Sequence, residues 1–363
     1  MVLPRTMAAV LLTGHGGLDR LEYRTDVPVP QPRRGEVLIQ VAAAGVNNTD
    51  INTRIGWYSK SVTSETGEGG AAGFDTVDDV DATWSGAALE FPRIQGADVC
   101  GRIVDVGEGV SRDRIGVRVL VRNMLRTPVD YRPFECWTLG SECNGGFAQF
   151  TVAPSRETYA VVSDRSDEEL AAVPCAYSTA ENMLHRAGVG TARVLVTGAS
   201  GGVGLAAVQL AKRRGATVIA VCSAAKAADV AAQGADVTVD RGADLGSTLG
   251  EASVDVVIDL VGGPRTSRLL DVLRPGGRYA VSGAIGGPIA EIDLRTIYLK
   301  DLSVLGCTFQ EDEVFENLIR YVADGDVRPV VCRTYPLQEI ARAQEDFLRK
   351  EHTGKLVLIP PAP

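Results

Sequence analysis

Val194-Leu195-Val196-Thr197-Gly198-Ala199-Ser200-Gly201-Gly202-Val203-Gly204 reads as a buried strand, a tight glycine turn and the first turn of a helix. Such a turn is built to receive a pyrophosphate. Amide N–H groups at the helix N-terminus point at the phosphates, and the missing side chains let the backbone approach. Outward from this turn, strands alternate with alanine-rich helices. Strand 193–197 leads to helix 202–214, strand 217–222 to helix 224–233, and strand 236–239 follows. Strand 254–260 leads to helix 265–273 and then to strand 277–282. This rhythm predicts a parallel sheet with helices on both faces.

In that setting the turn marks a Rossmann dinucleotide-binding domain. Ala199, Ser200, Gly201, Gly202, Val203 and Gly204 are the expected pyrophosphate contacts. Gly201 admits the phosphate and Gly204 admits tight helix–strand packing, while Ala199 stands where the commonest pattern has its first glycine. The second strand decides the cofactor. It ends Val221-Cys222-Ser223-Ala224-Ala225-Lys226, with no acid to bind a ribose 2′-hydroxyl. Ser223 and Lys226 suit a 2′-phosphate instead, so NADPH is the expected cofactor. Ser223 is also placed to cap the next helix, with Lys226 solvated, and both roles can hold together. Val261-Gly262-Gly263 and Ser282-Gly283-Ala284 end consecutive strands, so their backbones are expected at the nicotinamide ribose and carboxamide.

The first 155 residues read mainly as strands and turns, among them 36–41, 101–107, 118–121 and 147–152. A helix start follows at Asp167-Glu168-Glu169. A late helix, 313–324, and a final strand, 354–359, more naturally return to the first domain than form a third. The expected division is a mainly-β domain over 1–160, completed by 311–363, and a Rossmann domain over 161–310. One segment stands apart. Between Ser61 and Pro92 there is no Lys or Arg, while Glu65, Glu68, Asp75, Asp78, Asp79, Asp81 and Glu90 all fall within it. It reads either as a solvated acidic loop or as a lid.

Composition narrows the classes. A net charge of −9 without any basic run argues against nucleic acid or an anionic membrane as partner. No apolar run approaches a membrane span, and the N-terminal apolar stretch is too short for a signal peptide, so a cytoplasmic protein is expected. Seven Cys, no Cys-x-x-Cys and three His leave little material for a metal site.

Several stretches together resemble the zinc-independent quinone oxidoreductase branch of the medium-chain dehydrogenase/reductase superfamily. They are Ala44-Gly45-Val46-Asn47-Asn48-Thr49-Asp50, Arg54-Ile55-Gly56-Trp57-Tyr58, Gln95-Gly96-Ala97-Asp98-Val99-Cys100-Gly101, the 199–204 turn, Leu273-Arg274-Pro275-Gly276-Gly277-Arg278 and Gly354-Lys355-Leu356-Val357-Leu358. The resemblance covers nearly the full length, apart from the 61–92 insertion and a divergent stretch at 122–143. It implies an α/β architecture: a GroES-like substrate domain plus a doubly wound Rossmann domain. It also implies a homodimer joined through the edge strand at 302–307.

Zinc alcohol dehydrogenases of the superfamily hold catalytic zinc through Cys, His and Cys. By the motif match these positions are Asn47, Ala97 and Cys175, and one thiolate cannot hold a metal that needs three protein ligands. No metal is therefore expected, and Cys175 is expected to be a packed core residue. Without a Lewis acid, hydride transfer to a quinone or an α,β-unsaturated carbonyl is the expected reaction, its developing oxyanion met by hydrogen-bond donors.

The resemblance places Tyr58 in the substrate cleft as the first candidate donor and Thr179 beside the nicotinamide. Asn47 is the second candidate donor, with a turn role as its alternative, and Asp50 is expected to tie down its loop. Asn52, often Tyr in the branch, and the acidic insertion are expected to border the substrate, with Trp57, Trp84 and Trp137 as possible lining. Two other readings stand beside this one. The first is an NADPH-binding protein with little catalysis, as crystallin-like members are. The second, disfavoured by the missing ligands, is a zinc alcohol dehydrogenase.

Overall fold

The computed structural model describes residues 3–363. It contains two compact units: residues 3–62, 68–175 and 319–363 form the first, and 63–67 with 176–318 form the second.

The first unit is built from β1 (Thr6–Leu12), β2 (Leu21–Pro28), β3 (Glu36–Gly45), β4 (Arg93–Ile94), β5 (Cys100–Val106), β6 (Arg118–Val121), β7 (Met124–Leu125), β8 (Trp137–Thr138), β9 (Phe150–Pro154) and β10 (Thr158–Ala160). In the second unit lie β11 (Arg193–Val196), β12 (Thr217–Cys222), β13 (Val237–Asp240), β14 (Val254–Asp259), β15 (Leu273–Val281) and β16 (Ser303–Gly306). The chain then returns to the first unit for β17 (Val331–Pro336) and β18 (Lys355–Ile359).

Strand β3 organises the first unit. It pairs with β5, β9 and β18, inside a sheet ordered β10-β6-β5-β3-β18-β17. Val37, Leu38, Ile39, Phe147, Phe150, Leu356 and Leu358 share one core. The register of β18 against β3 sets Val357 opposite Gly45. Lys355, two residues earlier, is thereby carried past the end of β3 to the turn at Asn47.

In the second unit the sheet order is β13-β12-β11-β14-β15-β16, and every neighbouring pair is parallel. Val194, Leu195 and Val196 of β11 are fully buried, as a strand covered on both faces must be. The strand order reverses between β11 and β14, which is where such sheets open a crevice for ligands.

Several expectations shift. The first unit runs on to Cys175 rather than ending at 160, because helix Asp167–Ala171 packs on β3 and β5 and buries Leu170 and Ala171 there. It resumes at 319 rather than 311. The helix expected at 224–233 opens as a tight 3₁₀ turn, Ala224–Lys226, before Ala227–Ala232, and Gly263–Arg265 does the same before Thr266–Asp271. The helices Asn48–Ile55 and Pro174–Arg186 carry only a weak apolar stripe and are found only in the structure, whereas Ile340–Arg349 sets Ile340, Ala343 and Phe347 on one face against the core, a helical spacing that the sequence reading passed over.

The 61–92 insertion is more than a solvated loop. Arg54, fully buried, donates from Nη2 to Gly70 O (2.7 Å), from Nη1 to Gly16 O (2.7 Å) and from Nε to Gln344 Oε1 (2.8 Å). Asp78 N donates to Ser59 Oγ (3.1 Å), and Lys60 N to Asp81 Oδ2 (3.0 Å). Ala82 and Thr83 are buried. The divergent 122–143 stretch is likewise anchored. Glu157, completely buried, takes the Arg122 guanidinium at 2.5 Å and accepts from Arg126 N, Thr127 N and Thr127 Oγ1 (2.8–2.9 Å). Among the described residues no helix is long and apolar enough to cross a membrane.

Candidate active site

The turn that opens helix Gly202–Arg213 fits a dinucleotide pyrophosphate. Gly198 has φ +58°, which an L side chain rarely adopts. A Cβ on Gly204 would lie 2.3 Å from Gly198 O, so only glycine lets this helix approach the turn. A Cβ on Gly201 would meet only Gly198 O, at 3.5 Å, leaving that face open to a ligand. Ala199 is fully buried, its N–H donated to Val221 O (3.1 Å). Ser200, Gly202 and Val203 complete the turn at the helix N-terminus.

The loops at the ends of β14 and β15 come together. Gly286 N donates to Val261 O (2.8 Å), and a Cβ on Gly262 would touch Ala284 at 3.0 Å. Ser282 turns its hydroxyl to Cys307 O (3.0 Å), so in this loop the backbone of Gly283 and Ala284 is what remains for a ligand. Asp259, which the sequence reading did not single out, holds this region. Its fully buried carboxylate accepts from Val261 N (3.0 Å), Gly262 N (3.2 Å), Thr197 Oγ1 (2.6 Å) and Tyr279 OH (2.5 Å). The available signal was an acid ending a strand directly after the apolar run Val256-Val257-Ile258, since a buried carboxylate needs a full set of donors. Thr179 lies on helix Pro174–Arg186, whose neighbouring Ser178 accepts from Gln310 Nε2 (3.0 Å).

At the end of β12 the structure revises the capping role. Ser223 occupies the cap position but makes no side-chain cap hydrogen bond. The carboxylate of Asp240, paired in register with Cys222, accepts instead from Ala224 N (3.0 Å) and Gly242 N (2.8 Å). Ser223, Ala224, Ala227, Thr238 and Asp240 line a notch of about 170 Å³. Lys226 ends the 3₁₀ turn beside it. The acid that β12 lacks is thus supplied by β13.

In the first unit Tyr58 is half-buried. Its hydroxyl donates to Thr49 Oγ1 (3.0 Å) and also hydrogen-bonds Asn52. Burial pushes the phenol well above its usual range, so it keeps its proton at any working pH. Trp57 and Trp84 meet its ring edge-on, at centroid distances of 5.8 and 4.9 Å. Trp137 is instead on β8, exposed.

Of the two roles expected for Asn47, the structure shows the turn role: the residue caps helix Asn48–Ile55 and braces the loop. Its Nδ2 donates to Asp98 Oδ2 (2.8 Å) and Gly45 O (3.3 Å), which uses both amide hydrogens. Its Oδ1 accepts from Lys355 Nζ (2.5 Å), and that ammonium also pairs with Asp98 Oδ2 (2.8 Å). Cys175 N donates to Asp98 Oδ1 (2.6 Å). The positions matching the zinc ligands therefore surround a lysine–aspartate ion pair. Among the described residues no three His, Cys, Asp or Glu side chains gather as a metal-ligand set. A Cβ on Gly45 would lie 2.4 Å from Asp98 Oδ2, which explains the glycine.

Asp50, buried beside this cluster, accepts from Asn47 N (2.7 Å), the loop tie expected of it. Burial above all pushes its carboxyl up to about 7, against the opposing pull of Lys355. Folding thus takes up a proton between about pH 4 and 7. The stability tied to it is present at low pH and is lost as pH rises through 7. Asp50→Asn is expected to flatten the fall in the first unit's melting temperature between pH 5 and 8, with the variant the more stable at pH 8. An unchanged pH slope would place Asp50's titration elsewhere.

A glycine-turn Rossmann sheet joined in one chain to a mainly-β unit defines a nicotinamide-dependent dehydrogenase architecture. Residues 33–163 match the family described as alcohol dehydrogenase GroES-like domain, and 202–324 the one described as zinc-binding dehydrogenase. A quinone oxidoreductase of Lama guanicoe is 29% identical, covering 98% of both chains. An acryloyl-coenzyme A reductase of Metallosphaera sedula is 31% identical, covering 97% of this chain and 99% of its own. The solved structure of a putative alcohol dehydrogenase from Sinorhizobium meliloti 1021 is 44% identical with a TM-score of 0.87, covering 99% and 98% of the two chains. The chain belongs to the quinone oxidoreductase branch of the medium-chain dehydrogenase/reductase superfamily. It is an oxidoreductase with a nicotinamide cofactor and a small-molecule substrate.

Proposed function

We propose that this protein is a zinc-independent, NADPH-dependent reductase of quinones or α,β-unsaturated carbonyls. The observation that carries the zinc-free part is the Lys355–Asp98 pair, closed by Asn47, at the positions matching the zinc ligands. A buried ammonium there leaves a divalent cation neither ligands nor room for its charge.

NADPH, when bound, supplies the hydride. The amides of 201–204 and the open face of Gly201 hold its pyrophosphate, and the backbones of Val261, Gly262, Gly283 and Ala284 meet its nicotinamide end. Ser223 and Lys226 take the 2′-phosphate. A second reading, NADH, is favoured by Asp240, whose carboxylate stands beside Ser223.

Tyr58 serves as donor to the acceptor oxygen. A hydroxyl rotates freely, so Thr49 can donate to Tyr58 Oη while Tyr58 turns its own proton to the substrate. A homodimer through β16 completes the proposal. That strand is the sheet edge, and Leu294, Tyr298, Leu299 and Val304 are exposed near it, an apolar face suited to a second copy.

NADPH oxidation against a panel of quinones and enones, with NADH as control, tests this reading. Turnover is expected with NADPH and no added metal, and at least tenfold lower kcat/KM with NADH. Equal use of NADH would overturn the Ser223 and Lys226 roles. Tight NADPH binding with no turnover on any acceptor would move the reading to a binding protein, and stoichiometric zinc in the purified protein would end the metal-free assignment.

A further inference from the structure

The two segments least typical of the family meet at one side chain. Glu142, in the turn after β8, accepts from Ser85 N through Oε1 (2.8 Å) and from Thr138 N through Oε2 (2.7 Å). It thereby pins the insertion to the β7–β8 lobe. The pinned piece is a tight turn: Thr83 N donates to Ala87 O (3.0 Å), Gly86 N to Thr83 O (3.1 Å) and Ala87 N to Thr83 Oγ1 (2.9 Å). Ala82 and Thr83 are buried beneath it, so the turn is fixed at its base as well as at its side. The residue it presents is Trp84, whose indole meets the Tyr58 ring at 4.9 Å and 68°.

Everything around Trp84 constrains where the indole stands, although the insertion has few large side chains and a glycine-rich start. Trp84 as a whole is only half-buried, so part of its surface stays open to another molecule. An indole edge-on to the hydroxyl-bearing ring forms an aromatic corner. Such a corner gains most from a flat conjugated ring laid against it, by offset or edge-to-face contact, and gains little from an acyclic chain.

We propose that Trp84 is a specificity-determining residue, set over Tyr58 by the Glu142 clamp, which selects planar ring acceptors over acyclic conjugated carbonyls. This rests on the placement of Tyr58 at the acceptor proposed above. Trp84 takes no part in proton or hydride movement, and its contribution falls on acceptor binding.

The test compares kcat/KM for 1,4-naphthoquinone and for methyl vinyl ketone, in the intact protein with NADPH. Trp84→Ala is expected to lower the naphthoquinone-to-ketone ratio about tenfold, chiefly through KM for the quinone. Trp84→Phe, which keeps a ring, is expected to retain most of the ratio. Glu142→Gln, which weakens the clamp without touching either ring, is expected to shift it in the same direction by a few-fold. A ratio within twofold of the original in Trp84→Ala, with melting temperature and NADPH affinity intact, would overturn the proposal. Calorimetric titration with naphthoquinone separates this from the broader functional reading. If the protein turns over neither acceptor, yet binds naphthoquinone with an affinity that Trp84→Ala weakens about tenfold, the reductase reading fails and Trp84 stands. Equal affinity in both proteins removes Trp84.

Discussion

Replacing Lys355 with methionine is expected to destabilise the first unit by about 3–5 kcal/mol. The reason is electrostatic rather than steric. Asp98 is fully buried, and its cationic partner among the described residues is the Lys355 ammonium at 2.8 Å. Removing that partner leaves a carboxylate in an apolar surround, with Cys175 N and the Asn47 amide as its remaining donors. The Asn47 Oδ1 also loses a charged donor. The measurement is urea or thermal unfolding followed by a probe in the first unit, because the two units need not unfold together. A double-mutant cycle isolates the cause. Asp98→Asn added to Lys355→Met removes the orphaned charge, and is expected to recover a substantial part of the loss. Additive losses in the double variant would show that packing, not charge, sets the cost.

Tyr58→Phe is expected to lower kcat/KM for the acceptor by about 10²- to 10³-fold, the scale seen when one hydrogen-bond donor to a developing oxyanion is removed. NADPH affinity should be unchanged. The hydroxyl's partners, Thr49 and Asn52, lose a hydrogen bond in the same substitution, so a stability loss of about 1–3 kcal/mol accompanies it. Comparing rates well below the melting temperature separates the two effects. The pH profile adds a second readout. Because burial raises the phenol's pKa, Tyr58 stays protonated, and no loss of rate attributable to it is expected as pH rises toward 10. An unchanged rate in Tyr58→Phe would reduce the residue to an aromatic wall beside Trp84.

The second unit was legible because its signals are local. A buried β11, a glycine turn and a helix N-terminus follow one another within a dozen residues, and parallel strands announce themselves as short apolar runs between alanine-rich helices. The strand order, with its switch between β11 and β14, came only with the structure. The places where local reading fell short are those where partners come from far along the chain. Asn47 looked like a free amide until β18 brought Lys355 to it across 308 residues. The end of β12 looked free of acids until β13 set Asp240 opposite Cys222. Helix Asp167–Ala171 carries a clear capping box, yet which unit it joins depends on the face it buries.

The sequence by itself determined the dinucleotide turn and the parallel sheet, because glycine spacing and apolar period are properties of a chain read in order. Only the tertiary structure decided what surrounds Asn47 and Asp98 and what stands over Tyr58. Both depend on charges and rings contributed by segments that no spacing rule connects. A buried carboxylate must find its cation wherever the fold delivers one, and here strand pairing delivers it from the far end of the chain.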